Sequence, residues 1–140
     1  MVSKNMEKDI WKIMYDKARE VQNAREVSPF IEAGGVAAAI LTKSGNIYAG
    51  VCIDTASTLG MCAERNAVFG AYCKGYRKED IIGLAIVADC SPIVSPCGAC
   101  RQVLSELVDL EMPIFLANKE KVEKHTIGEL LPMVFIGESL

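Results

Sequence analysis

The sequence predicts an α/β chain, a three-layer α/β/α sandwich around a mixed sheet. Three observations carry that expectation. Helical and extended signals run in the order α-β-β-α-β-α-β-α. Ile81–Ala88 is almost wholly apolar, as suits a central strand covered on both faces. The first two strands flank the turn signal Lys43-Ser44-Gly45-Asn46 and so form a hairpin, whereas the later strands are separated by helices that act as crossovers.

From about Ser3 to Val27, Met6, Ile10, Ile13, Met14, Ala18 and Val21 recur at i, i+3, i+4 spacing, which predicts one amphipathic helix ended by Ser28-Pro29. Val36–Thr42 consists of small and branched residues and reads as a strand, with Ile47–Ile53 as its hairpin partner. Cys62–Cys73 reads as a helix carrying Ala63, Ala67, Val68 and Ala71, with Gly75 just past its end. Ser95-Pro96 leads into a third helix, Cys97 to about Val108, and Ile114–Ala117 follows Pro113 as a short strand. Thr126-Ile127-Gly128-Glu129 has the capping-box pattern that opens a short last helix, stopped by Pro132.

Composition narrows the function classes. With 140 residues, no repeat and no Pro/Gly-rich linker, residues 1–140 read as a single domain. Hydrophobic residues make up 51% and charged residues 24%, enough apolar content to build a core. A net charge of −3 and a pI near 5.2 disfavour nucleic acid as a partner, because strand binders carry a basic face. The longest apolar runs, Val36–Leu41 and Ile81–Ala88, fall far short of the ~20 residues a bilayer span needs. Lys4, Glu7, Lys8, Asp9 and Lys12 interrupt the N-terminus before any signal-like apolar stretch forms, so the expected compartment is a reducing cytoplasm. There the six cysteines are metal ligands, catalytic groups or buried thiols rather than bridges.

Two fragments carry chemistry: Cys62-Ala63-Glu64 and Pro96-Cys97-Gly98-Ala99-Cys100. Cys97 and Cys100 stand i, i+3 at a helix start, so both thiols point the same way and can clamp one ion. Cys62 sits at a second helix start, where unpaired N–H groups and the helix dipole favour a thiolate. Three thiolates with an open fourth position describe a catalytic zinc site rather than a closed structural one. A structural zinc would need a further protein ligand; Cys90 remains open for that role, Cys73 lies too far along its helix, and His125 reads as a surface residue beside Lys124. Glu64 lies two residues from one ligand, placed to handle protons without itself binding the ion.

Cys-x-Glu paired with Pro-Cys-x-x-Cys is the signature of the zinc deaminases. The chain resembles the cytidine deaminase family, of the small free-nucleoside type. Leu41–Gly50 is similar to that family's first hairpin, Cys62–Ala67 and Ser95–Leu104 to its two catalytic helices, and Glu129–Pro132 with Phe135 to its C-terminal segment. The resemblance covers about Val36 to Leu140 and implies the family's cytidine deaminase-like fold. It implies Zn²⁺ held by Cys62, Cys97 and Cys100, Glu64 as general acid/base, and Arg65 as the group that draws charge from the thiolates. Substrate contacts are implied at Ala63 and Ser95, at Cys52 and Asp54 toward the sugar, and at Phe135. The implied reaction is hydrolytic deamination of a cytosine-type nucleoside to the uracil form, in a homotetramer whose sites draw on more than one subunit.

Three positions depart from the family pattern. The aromatic residue that stacks near the pyrimidine falls at Gly34, the sugar-binding Asn at Cys52 and the sugar-binding Glu at Asp54. The loop before Cys62 is also one residue shorter. Blasticidin S deaminases share both cysteine motifs and also differ at these positions, although Cys52 and Asp54 do not match theirs either. A deaminase of a modified aminopyrimidine nucleoside is therefore the alternative enzyme, and a non-catalytic zinc protein is disfavoured by the intact Glu64.

Overall fold

Along the chain the elements are α1 (Lys4–Val21), β1 (Arg25–Ser28), β2 (Ile31–Thr42), β3 (Ile47–Asp54), α2 (Ala63–Cys73), a single 3-10 turn (Lys78–Asp80), β4 (Ile81–Ala88), α3 (Gly98–Leu107), β5 (Ile114–Ala117), β6 (Val122–His125) and α4 (Ile127–Leu130). The computed structural model describes residues 4–23 and 25–137. Strand β2 organises the sheet because it is paired along both edges. β3 lies antiparallel on one edge, through the turn in which the Thr42 N–H donates to the Asn46 carbonyl at 2.9 Å. On the other edge β4 pairs antiparallel with Val36–Thr42, and β1 continues that edge beside Ile31–Ala33. β5 joins β4 in parallel and β6 closes the sheet antiparallel to β5. The sheet is thus mixed, and the α3 crossover is what a parallel β4–β5 pair requires.

Alternation along the central strands divides the core into two layers. Ala37, Ala39, Ala85, Val87, Phe115 and Ala117 face α1, whose Met14 and Ala18 are fully buried against them. Ala38, Ile40, Leu84, Ile86, Ile114 and Leu116 face the opposite way, toward Ala67, Val68 and Ala71 of α2, Leu104 of α3 and Ile127 of α4. This double burial explains the apolar run of β4. Each large side chain so buried contributes ~1.5–3 kcal/mol. Runs of alanine in β2 let helices approach closely on both sides. The three-layer α/β/α arrangement expected from the sequence is present.

The N-terminal expectation needs correction. α1 ends at Val21 and does not reach Val27; Arg25–Ser28 is a strand. The reason is tertiary. The Gln22 side chain donates to the Gly35 carbonyl at 3.0 Å and the Asn23 N–H donates to the Gly34 carbonyl at 3.1 Å, so the sheet captures the backbone just past the helix. Ser28-Pro29-Phe30 turns a hairpin between β1 and β2 rather than ending a helix, with the Phe30 N–H bonded to the Ser28 hydroxyl. Ile13 is also half exposed, since the buried stripe runs through Ile10, Trp11, Met14, Tyr15, Ala18 and Val21. Ser3 and the Met6 side chain lie outside the described residues. The sequence reading also lacked β6, a short edge strand of mixed burial.

Candidate metal centre

Two helix N-termini converge at the C-terminal end of β4. Cys62 is the N-cap of α2 and Cys97 the N-cap of α3, both in extended backbone, and Cys100 follows in the first turns of α3. The Cys97 sulfur accepts the Cys100 N–H at 3.5 Å. The sulfurs of Cys62 and Cys97 are 3.7 Å apart, and those of Cys62, Cys97 and Cys100 all lie within 4.8 Å of one another. Sulfurs about 3.8 Å apart are what a tetrahedral zinc with Zn–S bonds of ~2.3 Å sets, so the donor set fits that ion. Cys100 is buried and Cys97 exposed, which leaves the open side of the cluster toward solvent. Among the described residues, the metal-competent group consists of these three thiols alone. Cys90 lines a separate cavity with Asp89 and Asn118, Cys73 is exposed at the far end of α2, and His125 is paired with Glu123 and Glu129.

The electrostatics favour a cation. Glu64 is 4% exposed in the first turn of α2. Burial, followed by the Glu64 carboxylate, pushes the Cys100 thiol well above its ordinary range. Burial also acts to raise Cys97, but hydrogen bonds from the backbone N–H and thiol of Cys100 and from the Cys62 thiol together outweigh it, and the Cys97 thiol lies below its ordinary value. Crowding a carboxylate against buried thiols is costly unless a positive ion is present. Arg65 supplies part of that charge: its Nη2 lies 3.6 Å from the Cys62 sulfur, and that bond raises the guanidinium pKa against an opposing effect of burial.

Three residues that the sequence reading did not assign hold this geometry. Gly50 of β3 lies so close to α2 that a Cβ there would stand 2.7 Å from the Ala67 nitrogen and 2.8 Å from the Ala63 carbonyl oxygen. Asn66 ties the same helix to β3, its side-chain amide donating to the Val51 carbonyl at 2.8 Å. Arg101 donates to the Pro96 carbonyl at 2.8 Å and to the Ser95 hydroxyl and the Leu130 carbonyl at 2.7 Å each. It thereby pins the loop before Cys97 to α4. A glycine inside a strand pattern signals close backbone approach and was readable at Gly50; Asn66 and Arg101 carry no comparable local signal.

A cleft of about 330 Å³ adjoins the thiols, lined by Cys52, Asp54, Thr55, Thr58, Met61 and Cys62 among others. Cys52 and Asp54 therefore share one wall with Cys62 of the thiol cluster. Two of the departures from the family pattern have a common structural origin. The β2–β3 register shifts between Ala33 and Ala37. Within that bulge Gly34 takes φ +87, and a Cβ there would collide with the Asn23 backbone. An aromatic side chain has no room at this position. The same bulge leaves the Val36 N–H to the Cys52 sulfur, at 3.3 Å. Ala63 is buried at the start of α2 and Ser95 is held by Arg101. Phe135 is 53% exposed and lines a different cavity of the chain, beside Ser105, Glu106 and Leu110.

Fold and site together define an α/β/α protein in which three thiols positioned to hold a metal ion converge beside a buried carboxylate. The family model for the cytidine and deoxycytidylate deaminase zinc-binding region matches residues 12–116. A cytidine deaminase of Halalkalibacterium halodurans is 43% identical over 107 residues, covering 75% of this chain and 80% of that protein. A blasticidin-S deaminase of Bacillus cereus is 32% identical, covering 71% and 76%. The crystal structure of cytidine deaminase from Burkholderia pseudomallei superposes with a TM-score of 0.78 at 33% identity, covering 89% of this chain and 98% of that one. The chain belongs to the cytidine and deoxycytidylate deaminase family, whose members are zinc-dependent hydrolytic deaminases.

Proposed function

We propose that this protein hydrolytically deaminates a cytosine-type nucleoside, releasing ammonia and the uracil form. The observation that carries the reading is the buried Glu64 beside three convergent thiols at two helix N-termini. Cys62, Cys97 and Cys100 would hold the zinc, which when bound supplies the Lewis acidity that makes water a nucleophile near neutral pH. Glu64 takes a proton from the attacking water as a C–O bond forms at C4 and passes it to ring N3, then takes the proton of the new C4 hydroxyl and passes it to the amine. The C4–N bond breaks and ammonia leaves, so Glu64 ends as it began. Arg65 offsets the negative charge of the thiolates. Backbone groups at Ala63 and the loop at Ser95 hold the base edge and the amine, while Cys52 and Asp54 face the sugar.

Further features support the finer reading. The acidic balance and the absence of basic runs in the sequence favour a free nucleoside over a nucleotide or strand. Asp54 is one methylene shorter than the family's Glu, and the Cys52 sulfur is already engaged, so the sugar pocket suits a larger or differently decorated sugar than plain ribose. The exposed C-terminal segment around Phe135 suits burial against a second copy, as in a homotetramer with shared sites. All six cysteines are unpaired, which accords with a reducing cytoplasm. Among the described residues no helix is long and apolar enough to cross a membrane.

The test is absorbance loss and ammonia release by zinc-loaded protein over cytidine, deoxycytidine, larger cytosine nucleosides, nucleotides and oligonucleotides. Turnover confined to nucleosides is expected; no turnover of any nucleoside by fully loaded protein overturns the reading. The similarity to the Bacillus cereus blasticidin-S deaminase, with the changes at Gly34, Cys52 and Asp54, favours a modified aminopyrimidine as second substrate class. Preferential turnover of blasticidin S over all plain nucleosides would establish it.

A further inference from the structure

Helices α2 and α3 bring their N-termini together at the thiols, and they also meet at their other ends. Cys62 is the N-cap of α2 and Cys97 that of α3. Counting on equally from each cap, Tyr72 in the last turn of α2 and Leu107 at the end of α3 fall in matching places, and the Tyr72 hydroxyl donates to the Leu107 carbonyl at 2.7 Å. The sulfur pair at the near end and the hydrogen-bonded pair at the far end are each 35 residues apart in sequence. The two helices therefore run side by side and parallel, in contact at two points roughly 15 Å apart at 1.5 Å per residue. Both pack on the same face of the sheet, through Ala67, Val68 and Ala71 of α2 and Leu104 of α3.

Parallel neighbours set like ends of two helix dipoles against each other. At the C-terminal ends Tyr72 and Arg77 offset that repulsion. Leu107 carries one of the carbonyls that the last turn of a helix leaves without an N–H partner, and the Tyr72 hydroxyl fills that place. The Arg77 guanidinium lies 5.2 Å from the centre of the Tyr72 ring and donates to the Tyr72 carbonyl at 3.2 Å and to the Tyr76 carbonyl at 2.7 Å. Burial raises the Tyr72 phenol above its ordinary value against the opposing charge of Arg77, so the phenol keeps the proton it donates.

We propose that Tyr72 is a positioning residue, a distal clasp that holds α2 and α3 at the separation in which the three thiols can close on one metal ion. The inference rests on the metal centre, whose thiols it aligns, and not on which nucleoside is turned over. With the clasp in place the metal-free chain already presents its thiols together; without it the helix ends drift apart, and binding an ion must first realign them. The experiment titrates zinc into metal-free wild type, Tyr72→Phe and Tyr76→Phe against a chromophoric chelator, and follows melting with and without zinc. Tyr76→Phe is the control, because it removes a phenol bonded to Ser44 and Asn46 in the β2–β3 turn rather than to α3. Tyr72→Phe is expected to weaken zinc about fivefold, the worth of one ordinary hydrogen bond, and to shrink the zinc-induced rise in melting temperature, with the same zinc stoichiometry as wild type. Tyr76→Phe should melt lower than wild type yet bind zinc as wild type does. A zinc Kd within twofold of wild type in Tyr72→Phe, or an equal weakening in Tyr76→Phe, marks a bond that only stabilises the fold and overturns the proposal. A wild type that holds no zinc overturns the metal centre and the clasp together. If zinc-loaded wild type deaminates no nucleoside, the deaminase reading fails, while a fivefold weaker zinc Kd in Tyr72→Phe still supports the clasp and an unchanged one refutes it.

Discussion

Glu64 and Cys100 are nearly removed from water and act on one another, so each is more informative when altered without changing its volume. Glu64→Gln is expected to keep zinc and fold but to lose ~10²–10⁴-fold or more in kcat, the range for a group that moves protons. Elemental analysis with steady-state kinetics checks this, and retention of half the activity would reduce Glu64 to a helix-start charge. Cys97→Ala and Cys100→Ala should each lose the metal; full zinc retention in both would refute the ligand assignment. At this scale much was legible. The i, i+3 spacing of Cys97 and Cys100 and the distant Cys-x-Glu state which atoms can meet, because helix geometry converts spacing into direction. The hold of Arg101 on the loop before Cys97 and the close approach that imposes glycine at position 34 were not legible. Both are contacts, with Leu130 and with Asn23, that no local pattern announces.

Among the elements, α2 matters most, since it carries one thiol and Glu64 and rests on an edge strand. Gly50→Ala would force its Cβ against backbone atoms of α2 that cannot rotate away. A destabilisation of ~1–3 kcal/mol, read by urea unfolding, is expected, together with a fall in kcat as Glu64 shifts. Stability within 0.3 kcal/mol of wild type, a difference of the order of ordinary surface substitutions, would show that the helix is free to slide. Strong periodicity made α1, α2, α3 and β4 readable. The short strands were not: β6 carries the polar sequence Val-Glu-Lys-His, and β1 continues a helical spacing until the sheet captures the backbone at Gln22 and Asn23. Strand formation there is decided by a partner strand, which sequence-local propensity does not contain.

For the whole molecule, the distribution of exposed apolar side chains is informative. Met133, Phe135 and Ile136 stand largely in water on one segment, with Leu59 and Phe30 exposed elsewhere. Light scattering at micromolar concentration is expected to give a tetramer, and a monomer across that range would contradict it. The metal should also matter to the chain as a whole. Cys62 and Cys97 are 35 residues apart in sequence, yet one ion would grip both helix starts. Because the three thiols converge only in the folded chain, the ion binds that state in preference to the unfolded one and stabilises it by mass action. Chelation should therefore lower the unfolding midpoint and expose the 89–96 segment to protease, with both changes reversed by zinc. Enzyme and clasp are then the same ion: a molecule that has lost its capacity for chemistry would also be the molecule most readily cleared by proteolysis.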